Sequence, residues 1–293
     1  MAATSPLWGF KEKDCSVGEI SIHYTEGPSS GPPLVLLHGL ARDWQSFSVL
    51  LPELSRHLHV FAADLRGHGG SSHVKGAYRI SQYAQDISRL ISLLLPNGAA
   101  IFGHSLGAMV AMAVAASGNC QVKALIVGDT MITPENFSHS LYTPLFLQLH
   151  QLLLRGKSVE ELAAGIGKIS IRVPGLDEPV RLDELPGNTP ATFSEWARCA
   201  IQTDPDALAM TVNGDSFDGW NPALILPRIS CPTLLLQGNP ELDALLSDED
   251  VKLAFKLLPK ADHVKFPLLG HALFMQQPKP VLKEVCAFLS ALD

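Results

Sequence analysis

The sequence predicts an α/β fold: an open sheet of parallel strands, covered by helices on both faces and interrupted once by a mainly helical insertion. Three observations carry this. Short, almost purely apolar runs alternate with segments of helical spacing through the first 130 residues and again after residue 225. Such alternation implies parallel pairing through right-handed crossovers, with strands buried on both faces. The alternation stops between residues 130 and 224. The length, 293 residues with 46% apolar and 17% charged residues, is enough to bury one large core.

The elements follow in order. Residues 19–24 (EISIHY) alternate and read as an edge strand. Residues 34–38 (LVLLH), 60–64 (VFAAD), 99–103 (AAIFG) and 124–127 (ALIV) read as buried strands. Residues 80–95 have helical spacing and stop at Pro96-Asn97-Gly98. Residues 106–116 form a helix of small residues. Beyond the insertion come a strand at 233–237, a helix at 250–258 capped by Ser247, a short strand at 264–267 and a final helix at 281–292. Within the insertion, residues 141–154 and 193–201 have helical apolar spacing. The stretch IGKISIRV is the one strand signal there, and Val173-Pro174-Gly175 reads as a turn. The expected organisation is a core of 1–130 and 225–293 with one insertion, 131–224, rather than two independent domains.

Composition narrows the function. The net charge of −7 argues against a nucleic-acid partner. No run approaches 18 apolar residues, so no membrane-spanning helix is expected. The first residues, MAATSPLWGFKEKDC, contain no apolar signal core, and a cytoplasmic location is expected. Cys15, Cys120, Cys199, Cys231 and Cys286 are scattered without CxxC spacing, which suits reduced thiols. No glycine-rich phosphate loop or metal-ligand cluster is visible, so neither a cofactor nor a metal is expected. Oligomeric state is not readable.

The chemistry centres on Gly103-His104-Ser105-Leu106-Gly107, a G-x-S-x-G motif. An apolar strand runs into it and a small-residue helix leaves it. That context makes it a sharp strand-to-helix elbow that exposes the serine hydroxyl at a helix N-terminus. His38-Gly39 follows another apolar strand, so the amides of Leu40 and Leu106 are candidates for an oxyanion hole. Gly270-His271 lies after the last strand, where His271 can act as general base and then general acid. His38, His68 and His104 sit in tight turns and read as structural. His57, His59, His73, His139, His150 and His263 show no pattern.

The series LVLLHGL, DLRGHGGS (residues 64–71), GHSLG and a late GH resembles the α/β-hydrolase superfamily, in its capped branch. The resemblance implies a mostly parallel eight-stranded sheet flanked by helices, with a mainly helical cap inserted after strand 6. It also implies that residues 64–71 form a structural turn. Ser105, rather than an aspartate, at the nucleophile position argues against the epoxide hydrolase and haloalkane dehalogenase branches.

A triad needs a carboxylate to orient the histidine. The usual location follows the strand at 233–237, as G-x-x-D. Counting forward from Gly238 gives Glu241. Counting back from Ser247 and His271 gives Asp243, and the loop carries about two extra residues. Asp129, closing ALIVGD at the end of the preceding strand, is the third candidate. Asp248, Glu249 and Asp250 read as the acidic first turn of a helix.

The expected activity is hydrolysis of a carboxylic ester or lactone through an acyl-enzyme, on a small to medium apolar substrate. Alternatives on the same scaffold are C–C bond hydrolysis, perhydrolysis, and a slow-turnover ligand receptor resembling the butenolide receptors. Leu141, Leu145, Phe146, Leu149, Leu152, Phe193 and Trp196 supply the apolar content of the insertion. Most should pack within it, and a minority should line the pocket. Trp44 reads equally as a pocket-rim residue or an ordinary buried aromatic.

Overall fold

A computed structural model of the chain describes residues 9–156, 158–172 and 178–292. The 173–175 turn, residues 1–8 and the side chain of His139 lie outside what it describes. The chain begins with β1 (Lys11–Ser16), β2 (Ser21–Glu26) and β3 (Pro33–Leu37). Then come α1 (Leu51–Leu54), β4 (His59–Ala63), α2 (Ile80–Leu94), β5 (Ala99–His104), α3 (Leu106–Ser117) and β6 (Val122–Gly128). The insertion carries α4 (Tyr142–Leu153), α5 (Val159–Gly167), β7 (Ser170–Ile171), β8 (Val180–Arg181), α6 (Pro190–Ala200), α7 (Pro205–Asn213) and α8 (Pro222–Ile225). The chain ends with β9 (Thr233–Gln237), α9 (Asp248–Leu257), β10 (Ala261–Lys265), α10 (Leu273–Gln276) and α11 (Pro278–Ser290).

Eight strands form one sheet in the order β1-β2-β4-β3-β5-β6-β9-β10. β2 pairs antiparallel with β1 and with β4, and every other pairing is parallel. The apolar runs explain the layering. Along β3, Val35 and Leu37 face one core cluster with α2 and α3, while Leu34 and Leu36 face a second with Phe47, Phe102 and Phe274. Side chains alternate across a strand, so a run with no polar residue must be covered on both faces. Active residues placed at the carboxyl ends of β5, β6 and β10 therefore meet at one sheet edge.

Several elements differ from expectation. The strand near residues 19–24 is β2, and it lies inside the sheet between β1 and β4. The edge is β1, whose sequence KEKDCS is polar and exposed at nearly every position. A charged edge resists pairing with other chains, and it leaves no apolar alternation to read. β10 starts three residues earlier than expected, because Ala261 pairs with Thr233 and the polar Asp262 and His263 belong to the ladder. α9 starts at Asp248, since the Ser247 hydroxyl accepts from the Asp250 amide at 3.0 Å. Within the insertion, the strand signal contracts to a two-residue pairing of β7 with β8. The capping box Ser158/Glu161 starts α5, and Asp204 caps α7. All five cysteines are free thiols. Among the described residues, no helix is long and apolar enough to cross a membrane.

Candidate active site

Ser105 separates β5 from α3 with φ 55° and ψ −123°, a conformation that costs a side-chain-bearing residue energy. The elbow is forced by close packing. A Cβ on Gly103 would lie 2.2 Å from the Gly107 carbonyl oxygen, and one on Gly107 would lie 2.1 Å from that of Leu37. The loop after β3 crosses the serine just as closely, with a Cβ on Gly39 falling 3.1 Å from Ser105 Cβ. Next to this crossing sits the Leu40 amide, and the Leu106 amide opens α3. Neither donates to a protein acceptor among the described residues, so both remain available to an oxygen anion.

His271 occupies the loop after β10. Its Nδ1–H donates to Asp129 Oδ2 at 2.6 Å, and Asp129 is fully buried at the end of β6. The same carboxylate accepts the amides of Leu245 at 2.8 Å, Gly238 at 3.2 Å and Leu246 at 3.3 Å. Four N–H donors thus compensate one desolvated carboxylate.

Asp243 touches the same histidine differently. Its Oδ1 accepts the His271 main-chain amide at 2.6 Å, and its Oδ2 accepts the Tyr142 hydroxyl at 3.1 Å. Of the three candidate acids, Asp243 holds the His271 main chain and Asp129 meets the ring. The longer loop after β9 places Asp243 at φ 108°, turned toward the amide. Burial pushes its carboxyl above the usual range, against the opposing pull of the His271 amide and charge. Glu241 is exposed, and its side chain has no hydrogen-bond partner among the described residues.

Surrounding histidines hold main chain. His104 Nε2–H donates to the His271 carbonyl at 2.8 Å, and the two rings lie 4.8 Å apart. Burial, with the His271 and Arg42 charges adding, lowers its pKa to about 3. His38 Nδ1–H donates to the Gly39 carbonyl at 2.8 Å, while its Nε2 accepts the Leu65 amide at 3.0 Å. That neutral imidazole ties the loop over Ser105 to the 64–71 turn. Burial lowers its pKa to about 4. In the turn, His68 donates to the Arg66 carbonyl at 2.9 Å, and burial takes its pKa to about 3. Asp64 accepts the amides of Trp44 and Gly70 at 2.7 and 2.9 Å, and Arg66 grips Asp86 with two bonds of 2.5 and 2.7 Å. Trp44 itself is buried in the second core, not on a pocket rim.

Several residues near the site were missed by sequence reasoning. The Tyr142 ring lies 4.8 Å from the His271 ring. Tyr142 and Asp243 also line an open groove of about 730 Å³ between α4 and the loop after β9. Arg198 on α6 donates to both oxygens of buried Asp43, at 2.7 and 3.3 Å. The Arg42 guanidinium lies over the Trp196 ring, 5.0 Å from its centroid. Asp250, expected only to complement a helix dipole, is buried. It accepts from the Ile132 amide and from the amide and hydroxyl of Thr133, at 3.3, 3.2 and 2.7 Å. The only sequence signal for any of these was the charged pair Arg42-Asp43 in an otherwise apolar loop.

Comparison with known proteins bears on the family and the fold. The profile of the alpha/beta hydrolase family matches residues 34–284. A 2-(acetamidomethylene)succinate hydrolase of Mesorhizobium japonicum is 25% identical over 99% of both chains. A soluble epoxide hydrolase of a Corynebacterium species is 27% identical over 64% of this chain and 72% of its own. Among solved structures, an enol-lactonase from Burkholderia xenovorans superposes with a TM-score of 0.71 at 21% identity, covering 95% of this chain and all of the other.

Proposed function

The chain belongs to the alpha/beta hydrolase family, and from that premise we propose that it is a serine hydrolase that cleaves a carboxylic ester or lactone through an acyl-enzyme. The observation that carries this reading is the buried Asp129–His271 pair, 2.6 Å long, tied through the His271 carbonyl to His104, the residue before a serine held at a strained elbow. Asp129 keeps the proton on Nδ1, which leaves Nε2 free to take the Ser105 proton as Oγ attacks a carbonyl carbon. The Leu40 and Leu106 amides receive the oxyanion. His271 then gives that proton to the leaving alkoxide, takes one from water as it attacks the acyl-enzyme, and returns it to Ser105 Oγ as the carboxylic acid is released.

The whole-length similarity to a 2-(acetamidomethylene)succinate hydrolase and the fold shared with an enol-lactonase support a small-molecule substrate. Similarity to an epoxide hydrolase does not extend to the reaction we assign, because the elbow presents a hydroxyl rather than a carboxylate nucleophile. Residues 131–224 act as a cap over the core of 1–130 and 225–293. The test is a panel of p-nitrophenyl esters, lactones and β-diketones on wild type and Ser105→Ala. Ser105→Ala loses ester and lactone hydrolysis by at least about a thousandfold. Retained hydrolysis in a folded Ser105→Ala would remove the nucleophile from the mechanism. Turnover confined to β-diketones would move the chemistry to C–C cleavage.

A further inference from the structure

Arg42 stands out once every charge near the site is assigned a partner. It follows the Leu40 amide by two residues and Gly39 by three, and three peptide steps span at most about 11 Å. Ala41, at φ 55°, turns the chain between them. Its charge adds to the lowering of the His104 pKa and opposes the rise at Tyr142, where burial dominates both shifts. Those two rings are the ones that pack 4.8 Å from His271. The guanidinium therefore lies on the same side of the site as the proposed general base.

The four aspartates around the site all have other partners. Asp43 is taken by Arg198 and the Gln45 amide, and Asp64 by the Trp44 and Gly70 amides. Asp129 is committed to His271 and three amides, and Asp243 to His271 and Tyr142. Among the described residues Arg42 makes no ion pair. A second donor is idle beside it: Trp196 Nε1, buried in the ring the guanidinium covers, has no hydrogen-bond partner. A half-buried cation and a buried N–H with no acceptor are both costly unless a ligand completes them.

We propose that Arg42 is the carboxylate-binding residue of the substrate site, so that the substrate carries a free carboxylate close to its ester or lactone bond. This rests on the hydrolytic reading of the same site. A carboxylate fits better than a phosphate, because one planar fork pairs bidentately with one planar anion. The stack on Trp196 holds the fork in place between α6 and the loop after β3.

The experiment compares matched esters. Mono-p-nitrophenyl glutarate is set against p-nitrophenyl butyrate, and 4-acetoxybenzoate against phenyl acetate, so the charge sits on the acyl or the leaving side. Wild type prefers the anionic member of at least one pair in kcat/KM. Arg42→Gln reduces that preference about 10- to 100-fold, the range expected for a hydrogen-bonded charge, and Arg42→Lys recovers part of it. Glutarate competes with p-nitrophenyl butyrate in wild type, and glutaramide does not. No anionic preference in either pair, or a preference that survives in folded Arg42→Gln, overturns the proposal. If Arg42→Gln does not fold, the wild-type preference and glutarate competition still decide. If wild type turns over no ester at all, the hydrolytic reading fails separately. Calorimetry then decides the subsite: glutarate binding that Arg42→Lys weakens supports it, and no binding to wild type overturns it.

Discussion

Replacing Asp129 with asparagine separates the two carboxylates that flank His271. The side chain keeps its shape, but one oxygen becomes an NH₂ group. Asp129 accepts four N–H donors, with His271 Nδ1 at 2.6 Å and the Leu245 amide at 2.8 Å both on Oδ2. An amide in its place must turn a donor toward one of these. If it faces the imidazole, the ring responds by moving its proton to Nε2, and the base that Ser105 needs is gone. If it faces the backbone, an amide N–H of the loop after β9 is left unpaired at a cost of about 1–3 kcal/mol in stability. The expected fall in kcat is about 10³- to 10⁴-fold, or roughly 4–5.5 kcal/mol of transition-state stabilisation. Asp243→Asn keeps an acceptor for the His271 amide and leaves the imidazole paired with Asp129, so kcat falls less than about tenfold. Initial rates on p-nitrophenyl acetate, with urea unfolding of each variant, make the comparison. A folded Asp129→Asn within tenfold of wild type, or an equal loss in Asp243→Asn, refutes the assignment.

Other consequences are as direct. Gly107→Ala places a Cβ 2.1 Å from the Leu37 carbonyl oxygen and 2.6 Å from that of His38, both main chain; it should cost at least about 3 kcal/mol in urea unfolding or abolish soluble expression. Arg198→Met leaves buried Asp43 with the Gln45 amide alone; a loss of about 2 kcal/mol is expected, below the fully buried range because the Arg198 side chain is 34% exposed. Burial holds His38, His68 and His104 neutral, with pKa values of about 4, 3 and 3. The unfolded chain protonates these imidazoles first, so stability is complete above pH 6.5 and falls as pH drops toward 4. Each contributes about 1.4 kcal/mol per pH unit. Asp64, pushed up to about 7 by burial, works in the opposite direction over that window, as do Asp86 and Asp243, whose carboxyls burial also raises, so the net slope is shallower than the three imidazoles alone would give. Urea midpoints between pH 7.5 and 5 measure it, and a flat profile contradicts it.

The sequence was legible wherever burial on two faces enforced a pattern. β3, β5, β6 and β9 contain apolar runs whose side chains pack alternately on one core or the other, so polarity within those runs cannot intrude without cost. The elbow at Ser105 and the Gly270-His271 loop were legible as candidates because their motifs record close approaches, which glycines at 103, 107 and 270 permit. The relation of Asp129 and Asp243 to His271 was not legible. Both are aspartates near strand ends, both adopt positive φ, and both bond to His271. Which one meets the ring depends on where the loop after β9 folds back, and that is set by Asp129 itself. Its oxygens collect the amides of Gly238, Leu245 and Leu246, a contact across more than a hundred residues that no local pattern records. β1 was lost for the opposite reason, since an exposed charged edge carries no periodic burial.

The contacts of the insertion bear on more than substrate shape. It reaches the proposed machinery through three contacts, and two further bonds hold its root. Tyr142 of α4 bonds Asp243, which holds the His271 amide. Trp196 and Arg198 of α6 meet Arg42 and Asp43, beside the loop that carries the Leu40 amide. Thr133, at the root of the insertion, is tied to Asp250 of α9. The Trp220 indole N–H donates to the Ile132 carbonyl at 2.9 Å, closing that root on itself. A change in the insertion is therefore felt at the base loop through one contact and at the oxyanion loop through two others. Substitutions at Tyr142 and Trp196 should accordingly alter kcat as well as KM. Tyr142→Phe removes the bond to Asp243 while keeping the ring on His271. If the hydroxyl steadies the base loop, Tyr142→Phe lowers kcat on the neutral p-nitrophenyl ester about two- to tenfold. Unchanged kcat with altered KM would confine the insertion to binding alone.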